Sequence, residues 1–232
     1  MSMIKKVFNR VLGLLYPTRA RCLGCGDMTG NQHEDFLCDR CREKMDRLFD
    51  LYEAGGADMP GIRRAFAAYP YVPPVKGVIH AFKFSSLPTL AEPLADDLCR
   101  LLVTHELTDY DCAAPVPLHR KREYQRGYNQ SLLLAEAIAE ELKIPVFTDL
   151  KRIRSTKQQA MLSTAERRKN LQNAFECKKP LPGPRVLLVD DVLTTGSTAA
   201  SCAQALLAGG AAFVDVCTIA MAGKHRPRPA AK

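Results

Sequence analysis

The chain has 232 residues, and its 47% hydrophobic and 25% charged content is that of a globular protein, which excludes a disordered or coiled-coil chain. The length permits one ordinary domain and a small one. A net charge of +8 favours an anionic partner such as nucleic acid, a phosphorylated small molecule or a membrane surface. The longest apolar runs, 11–16 and 186–189, are far shorter than the roughly 20 residues of a membrane span, so we expect none.

The first twenty residues contain basic side chains followed by an apolar stretch, as a signal peptide does. Arg10 and Gly13 interrupt that stretch, and no small-residue cleavage site follows it. We therefore expect a cytoplasmic protein that begins with an amphipathic helix. The apolar face of this predicted helix consists of Ile4, Val7, Phe8, Val11, Leu12 and Leu15.

Four of the nine cysteines form two C-x-x-C pairs, Cys22 with Cys25 and Cys38 with Cys41. Two such pairs can supply four thiolates to one tetrahedral ion and leave no open position, so the spacing predicts a structural zinc site. A pair of disulfides would require export, and a redox C-x-x-C would be a single motif near a βαβ unit. His33 lies between the pairs and could replace one ligand.

Beyond the cysteines, predicted strands alternate with predicted helices, a pattern typical of a parallel sheet with helices on both faces. The basic stretch 151–170 has no strand character, and we predict that the tail 224–232 is disordered. We assign a helix and zinc finger to 1–50 and an α/β domain to 60–223. The predicted helices are 42–51, 75–84, 90–102, 129–142 and 199–207, and the predicted strands are 66–72, 111–116, 145–147, 185–189 and 213–219.

The segment 186–198 reads VLLVDDVLTTGST: an apolar strand, two acids and a loop that opens a helix. Backbone N–H groups at a helix start favour an oxyanion, and Gly196 allows its close approach. Asp190 and Asp191 can accept hydrogen bonds from vicinal hydroxyls or hold a hydrated Mg²⁺. Together these groups predict a site for a phosphorylated ribose. The loop hydroxyls belong to Thr194, Thr195, Ser197 and Thr198.

Other interpretations of this segment explain less. A P-loop requires a lysine after its last glycine, and a dinucleotide site requires G-x-G-x-x-G; neither pattern is present here. A helix that is merely capped by Thr and Ser accounts for the hydroxyls. It does not account for two carboxylates at a buried strand, which are costly without partners.

The same segment resembles the 5-phosphoribosyl-1-diphosphate (PRPP) binding motif of type I phosphoribosyltransferases without departure. The resemblance implies that Asp190 and Asp191 are the catalytic residues, which contact the ribose hydroxyls. It also implies that the loop from Thr194 to Thr198, including Gly196, holds the 5-phosphate, and that Mg²⁺ binds together with PRPP.

Other segments narrow this resemblance to the ComF competence-protein family. They are 114–130, 154–175, the four-cysteine motif and HAFKF at 80–84. The resemblance covers roughly residues 4–222 and implies a parallel-sheet, type I phosphoribosyltransferase-like α/β domain with a small N-terminal zinc-binding subdomain.

The resemblance also implies roles for basic residues. Arg122 and Arg126 would lie near the diphosphate of PRPP, since a guanidinium matches phosphate oxygens, and Lys83 is a further candidate contact. The stretch 151–169 corresponds to the hood loop that closes over the site and excludes water. The alternative for these side chains is an ordinary solvated surface.

Two functions follow from the resemblance. One is a PRPP- and Mg²⁺-binding protein of natural competence, which handles incoming single-stranded DNA together with DNA-uptake or processing proteins. The other is a metabolic enzyme, which transfers 5-phosphoribose to a nitrogenous acceptor and releases pyrophosphate. No segment identifies the acceptor, and the sequence shows few aromatic residues for base stacking.

Overall fold

A computed structural model gives the fold of most of the chain. The predicted N-terminal helix, the predicted tail and most of the predicted hood lie outside the described residues. None of the described helices has both the length and the apolarity to cross a lipid bilayer. The described residues are 21–28, 36–54, 59–85, 87–118, 120–153 and 174–223.

Five of the strands within these ranges form one sheet, and two short strands form a separate antiparallel pair. The strands are β1 (Tyr52–Ala54), β2 (Arg64–Pro70), β3 (Cys112–Pro115), β4 (Leu150–Arg152), β5 (Phe175–Cys177), β6 (Arg185–Leu193) and β7 (Phe213–Met221). The spatial order of the sheet is β1, β2, β7, β6, β3. Only β1, at one edge, runs antiparallel to its neighbour.

Helices cover both faces of this sheet, as the alternating pattern predicts. The described helices are α1 (Asp39–Leu48), α2 (Val75–Phe84), α3 (Ala91–Thr104), α4 (Arg120–Arg126), α5 (Gln130–Leu142) and α6 (Ser197–Ala208). Along β6, Leu187 and Val189 pack with α2, α3 and α5, whereas Val186 and Leu188 pack with α6. Buried parallel strands read as continuous apolar runs because both of their faces are covered. The predicted α/β class with a parallel sheet is confirmed.

Two predictions for the chain before β6 are wrong. The stretch 145–147 is not a strand, because it makes only an isolated bridge between Val146 and Ala113 before leading away. The stretch from 151 onward does begin with strand residues, which belong to β4 and pair with β5. A three-residue strand with one buried side chain, Leu150, has too little alternation to be visible in the sequence.

Several element boundaries also differ from the prediction, and two of these differences concern the cysteines and the two acids. Helix α1 begins at Asp39, directly after Cys38, so the second cysteine pair is already part of the helix start. Strand β6 continues to Leu193, since Asp190 pairs with Thr218 of β7. The two acids therefore lie inside the strand, which fixes their backbone.

The cysteine-containing segment packs directly against α2. A Cβ atom on Gly77 would overlap the carbonyl oxygen of Leu23, and one on Gly24 would lie 2.5 Å from the Cβ atom of Pro74. Real Cβ atoms do not approach other atoms so closely, so both glycines are required by the contact. Met45 of α1 joins the same apolar core as α2.

A buried carboxylate joins three segments at the other end of the sheet. Asp215 of β7 is fully buried and accepts hydrogen bonds from Arg63, Arg64 and Tyr110. The Arg63 pair is bidentate, with distances of 2.9 and 2.7 Å. Burial raises the pKa of Asp215, but these donors outweigh burial and lower it below its usual value.

Candidate functional site

The two acids of β6 have partners from the neighbouring helices. Lys83 Nζ of α2 lies 2.8 Å from Asp191 Oδ1, and Ser131 Oγ of α5 donates to Asp190 Oδ1 at 2.9 Å. The backbone N–H of Asp191 donates to the same Asp190 oxygen at 2.9 Å. Lys83, which the resemblance implies as a PRPP contact, is thus placed as the counter-ion of Asp191.

Asp190 lies in an environment that disfavours its charge. Burial is the largest cause, and the neighbouring charge of Asp191 acts in the same direction. The Lys83 ammonium, the Asp191 N–H group and the Ser131 hydroxyl oppose it only in part, so the pKa of Asp190 rises to about 7. Strongly shifted carboxylates of this kind are typical of functional sites.

The raised pKa of Asp190 gives a stability prediction. Between about pH 4 and pH 7 the folded protein keeps a proton on Asp190 that the unfolded chain has lost, so the free energy of unfolding falls as pH rises. We expect Asp190→Asn to flatten this dependence and to stabilise the ligand-free protein above pH 7 by on the order of 2 kcal/mol. Urea unfolding as a function of pH measures both effects.

The control for this experiment is Glu136→Gln, which removes one exposed carboxylate from α5. It should leave the pH profile of stability unchanged. An Asp190→Asn profile that is parallel to the wild-type profile would contradict the prediction.

The loop after β6 leads directly into α6. Thr194 and Thr195 are exposed, and Ser197 and Thr198 are half-buried in the first turn of the helix. The Thr195 and Ser197 hydroxyl oxygens lie 2.8 Å apart. The loop therefore places hydroxyl groups beside the first N–H groups of α6, where a phosphate is favoured.

Gly196 is the residue that makes this turn. Its φ of +70° lies in the left-handed region that favours glycine, and a Cβ atom there would lie 3.0 Å from Met59 Sδ. Because glycine has no side chain, none caps α6 from this position.

Hydrogen bonds of two side chains that were not predicted as site residues hold the start of α5 in place. The side-chain oxygen of Asn129 accepts from the Ser131 N–H group at 3.1 Å and caps the helix. Gln130, 1% exposed, donates to the carbonyl oxygen of Phe82 at 3.3 Å. These contacts hold Ser131 against Asp190. An Asn N-cap is a recognisable signal for the helix start, but its partners are not.

The two arginines that are predicted to contact the diphosphate differ in exposure. Arg126 is half-buried, donates to Gln130 Oε1 at 3.0 Å, and has a pKa lowered by burial although Asp190 and Asp191 oppose the shift. Arg122 is exposed on α4.

A third arginine, Arg152 at the end of β4, lies near Arg122, and no sequence motif marks it. The pKa of Arg152 is lowered by burial and by the positive charge of nearby Arg122. Of the three guanidinium groups, that of Arg126 interacts with both acids, and Arg122 lies between the other two in charge contact.

The four cysteines form one cluster, as predicted, and their Sγ atoms all lie within 4.8 Å of one another. The Sγ atoms of Cys25 and Cys38 are 3.8 Å apart, about the edge of a tetrahedron with Zn–S bonds of about 2.3 Å. Backbone N–H groups of Gly24 and Cys38 each donate to Cys22 Sγ at 3.3 Å. The cluster could hold a metal ion such as zinc.

The pKa values of the cysteine thiols are also consistent with a cation bound among them. Burial raises the pKa of Cys22, but backbone N–H groups outweigh it and lower the pKa to about 6. Burial and the neighbouring thiols raise the pKa of Cys41 well above its usual value. Four adjacent sulfurs cannot all be thiolates unless a positive ion compensates their charge.

Comparison with known proteins identifies the domain that contains the two acids and the loop. Residues 128–232 match the phosphoribosyl transferase domain. The chain is similar to DNA utilization protein YhgH of Escherichia coli strain K12, with 35% identity over 201 residues, 84% of this chain and 81% of the relative.

Two relatives carry competence names. Competence protein F of Haemophilus influenzae is 38% identical over 203 residues, which cover 77% of this chain and 86% of that protein. Competence protein ComFC of Bacillus subtilis is 28% identical over 214 residues, 88% of this chain and 84% of that protein. These identities extend over most of both chains, and the domain match and the four-cysteine cluster point to the same family. The chain therefore belongs to the ComF competence-protein family.

Proposed function

We propose that this protein binds PRPP with Mg²⁺ at the end of β6 and handles incoming single-stranded DNA in the cytoplasm. The observation that carries the proposal is one arrangement. Two carboxylates, partnered by Lys83 and Ser131, lie immediately before a loop of hydroxyl groups at a helix start. The hydroxyl groups of a ribose phosphate need hydrogen-bond acceptors and its phosphate needs donors, and this segment supplies both.

Each part of PRPP has a place in the proposal. Asp190 and Asp191 accept hydrogen bonds from the ribose hydroxyls, and the loop 194–198 donates to the 5-phosphate. The diphosphate, with its Mg²⁺, lies towards Arg122 and Arg126, whose planar donors match phosphate oxygens. Lys83 holds Asp191 in its orientation.

The chemistry of the site is then phosphoribosyl transfer. A nitrogen of the acceptor forms a bond to C1 of the ribose while the bond from C1 to the diphosphate oxygen breaks. Pyrophosphate leaves with the electron pair, and the proton of the nitrogen is released to water. The negative charges of Asp190 and Asp191 stabilise the positive charge that develops on the ribose. A hydrogen bond from the ribose favours the ionised form of Asp190 despite its raised pKa.

The proposal includes a structural zinc ion on Cys22, Cys25, Cys38 and Cys41. The sulfur separations fit a tetrahedral site, and four protein ligands leave no position for a substrate. The ion therefore supports folding of a segment too small to bury a core of its own.

The DNA role rests on the names of the relatives, a DNA utilization protein and two competence proteins. The net charge of +8 is consistent with contact to a phosphate backbone. DNA-uptake or processing proteins would be the partners in this role.

Calorimetry of PRPP binding in the presence of Mg²⁺ tests the site. We expect the double variant Asp190→Asn, Asp191→Asn to bind PRPP about 100-fold more weakly, a loss of about 2.7 kcal/mol, because both acceptors lose their charge. The matched control is Glu140→Gln, Glu141→Gln, an adjacent exposed acid pair at the end of α5, which should bind as the wild type does.

Single-stranded DNA in the same titration tests the second half of the proposal. A change in PRPP affinity on adding DNA would show that binding of the two ligands is coupled, and its size gives the coupling free energy. Binding of DNA with a steep salt dependence, but never of PRPP, would overturn the phosphoribosyl site. Pyrophosphate release with free bases and no response to DNA would favour the metabolic enzyme.

A further inference from the structure

An exposed aromatic ring lies beside the proposed phosphoribosyl site. Phe84, at the C-terminal end of α2, is 62% exposed. It directly follows Lys83, whose ammonium contacts Asp191 at 2.8 Å. A single exposed phenylalanine is common on protein surfaces. A functional role for Phe84 must therefore be argued from the residues around it.

Phe84 has an aromatic neighbour and a cationic neighbour. The His80 ring lies one turn earlier, with centroids 4.8 Å apart and planes tilted by 42°. The guanidinium carbon of Arg126 lies 5.0 Å from the Phe84 ring centroid. Rings and guanidinium planes are the groups on which proteins stack bases, and Arg126 also supplies a charge that suits a phosphate.

Contacts connect this ring to the acids. Arg126 donates to Gln130, and the next residue, Ser131, donates to Asp190. A second ring, Tyr124, is 91% exposed on the helix that carries Arg126. The chain has few aromatic residues for base stacking, and these two are exposed.

We propose that Phe84 forms a stacking surface for a nucleobase, and that Arg126, whose guanidinium lies against the same ring, holds the ring in place. The inference rests on the proposed PRPP site, because an acceptor ring must lie close to C1 of the ribose for its nitrogen to reach that atom. The occupant is a planar nitrogenous ring, supplied either as a free base or as a base of a DNA strand.

The fluorescence of 2-aminopurine tests the proposal, because stacking quenches it. The two probes are free 2-aminopurine and a short thymidine oligonucleotide that carries one 2-aminopurine, each added to the full chain with Mg²⁺, with and without PRPP. We expect Phe84→Ala to weaken binding of at least one probe about 5- to 100-fold and to abolish its quenching. Phe84→Tyr keeps the ring and should stay within about threefold of the wild type.

The control variant is Val103→Ala, which shortens an exposed apolar side chain, 49% exposed, on α3. It should bind both probes as the wild type does. Quenching of the free base assigns the surface to the acceptor, and quenching of the oligonucleotide alone assigns it to the strand.

Equal affinity of Phe84→Ala and wild type for both probes would overturn the proposal. So would a Phe84→Ala variant that changes only the oligomeric state in sedimentation, which would assign the ring to contact with a second copy. PRPP calorimetry separates this proposal from the one it rests on: wild-type protein that quenches through Phe84 but never binds PRPP would overturn the PRPP site alone.

Discussion

Chelation of the proposed zinc ion from Cys22, Cys25, Cys38 and Cys41 is expected to unfold the described parts of the cysteine-containing segment, 21–28 and 36–48. Structural zinc contributes roughly 10 kcal/mol or more to the folding of small segments. The described residues of this segment bury only Cys22, Cys41 and Met45, so we expect that its contact with α2 does not replace the contribution of the ion. The measurement is amide hydrogen exchange of α1 before and after chelation, together with the zinc content of the purified protein.

A single substitution gives the same result without a chelator. Cys41→Ser should abolish stoichiometric zinc and lose the exchange protection of α1. Cys99→Ser is the matched control, because Cys99 is a half-buried thiol outside the cluster. Full zinc content in Cys41→Ser would contradict the assignment of the ligands.

Asp215→Asn is expected to lower the free energy of unfolding by about 3–5 kcal/mol, because it removes the charge that two arginines share. The Asp215 side chain is 0% exposed, whereas those of Arg63 and Arg64 are 43% and 36% exposed, so water can solvate the arginines once the pair is broken. This places the expected cost at the lower end of the range. Urea unfolding with a constant m-value measures it.

The control is Asp109→Asn, which removes a carboxylate that pairs with Arg185 but is 80% exposed. Exposed pairs contribute about 0–1 kcal/mol. A cost for Asp215→Asn no larger than that of the control would contradict the prediction.

The same carboxylate determines a part of the acid sensitivity. Because the pKa of Asp215 is lowered in the folded protein, its contribution is present above about pH 4 and is lost as pH falls further. Asp215 and Asp190 therefore act in different pH windows, and the two variants should change different parts of the stability profile.

The sequence predicts those parts of the site that are local. The strand, the acids and the loop are consecutive in 186–198, so their geometry follows from one strand-to-helix turn. The helix 75–84 has the predicted bounds because its apolar stripe is regular. The cysteine cluster is likewise predictable, because the spacing within each C-x-x-C pair is local.

The parts that the sequence does not predict depend on distant contacts. Ser131 reaches Asp190 across 59 positions of the chain, and nothing in the serine itself marks it as a partner. The strand character of β4 depends on its pairing with β5, which follows after a long segment. The exposure of Phe84 depends on which side of α2 faces the core, since Phe82, two residues earlier, is fully buried.

The contact at Gly77 has a consequence for how the protein can be divided. The backbone of Leu23 lies against α2, and Met45 shares the core of the larger domain, so the two predicted units are continuous in space. A shortened protein that began at Pro60 would leave bare the surface around Gly77, on the helix that also presents Lys83 to Asp191. The cysteine segment and the sheet therefore form one structural unit. Gene fusions or truncations should keep residues 21–223 together.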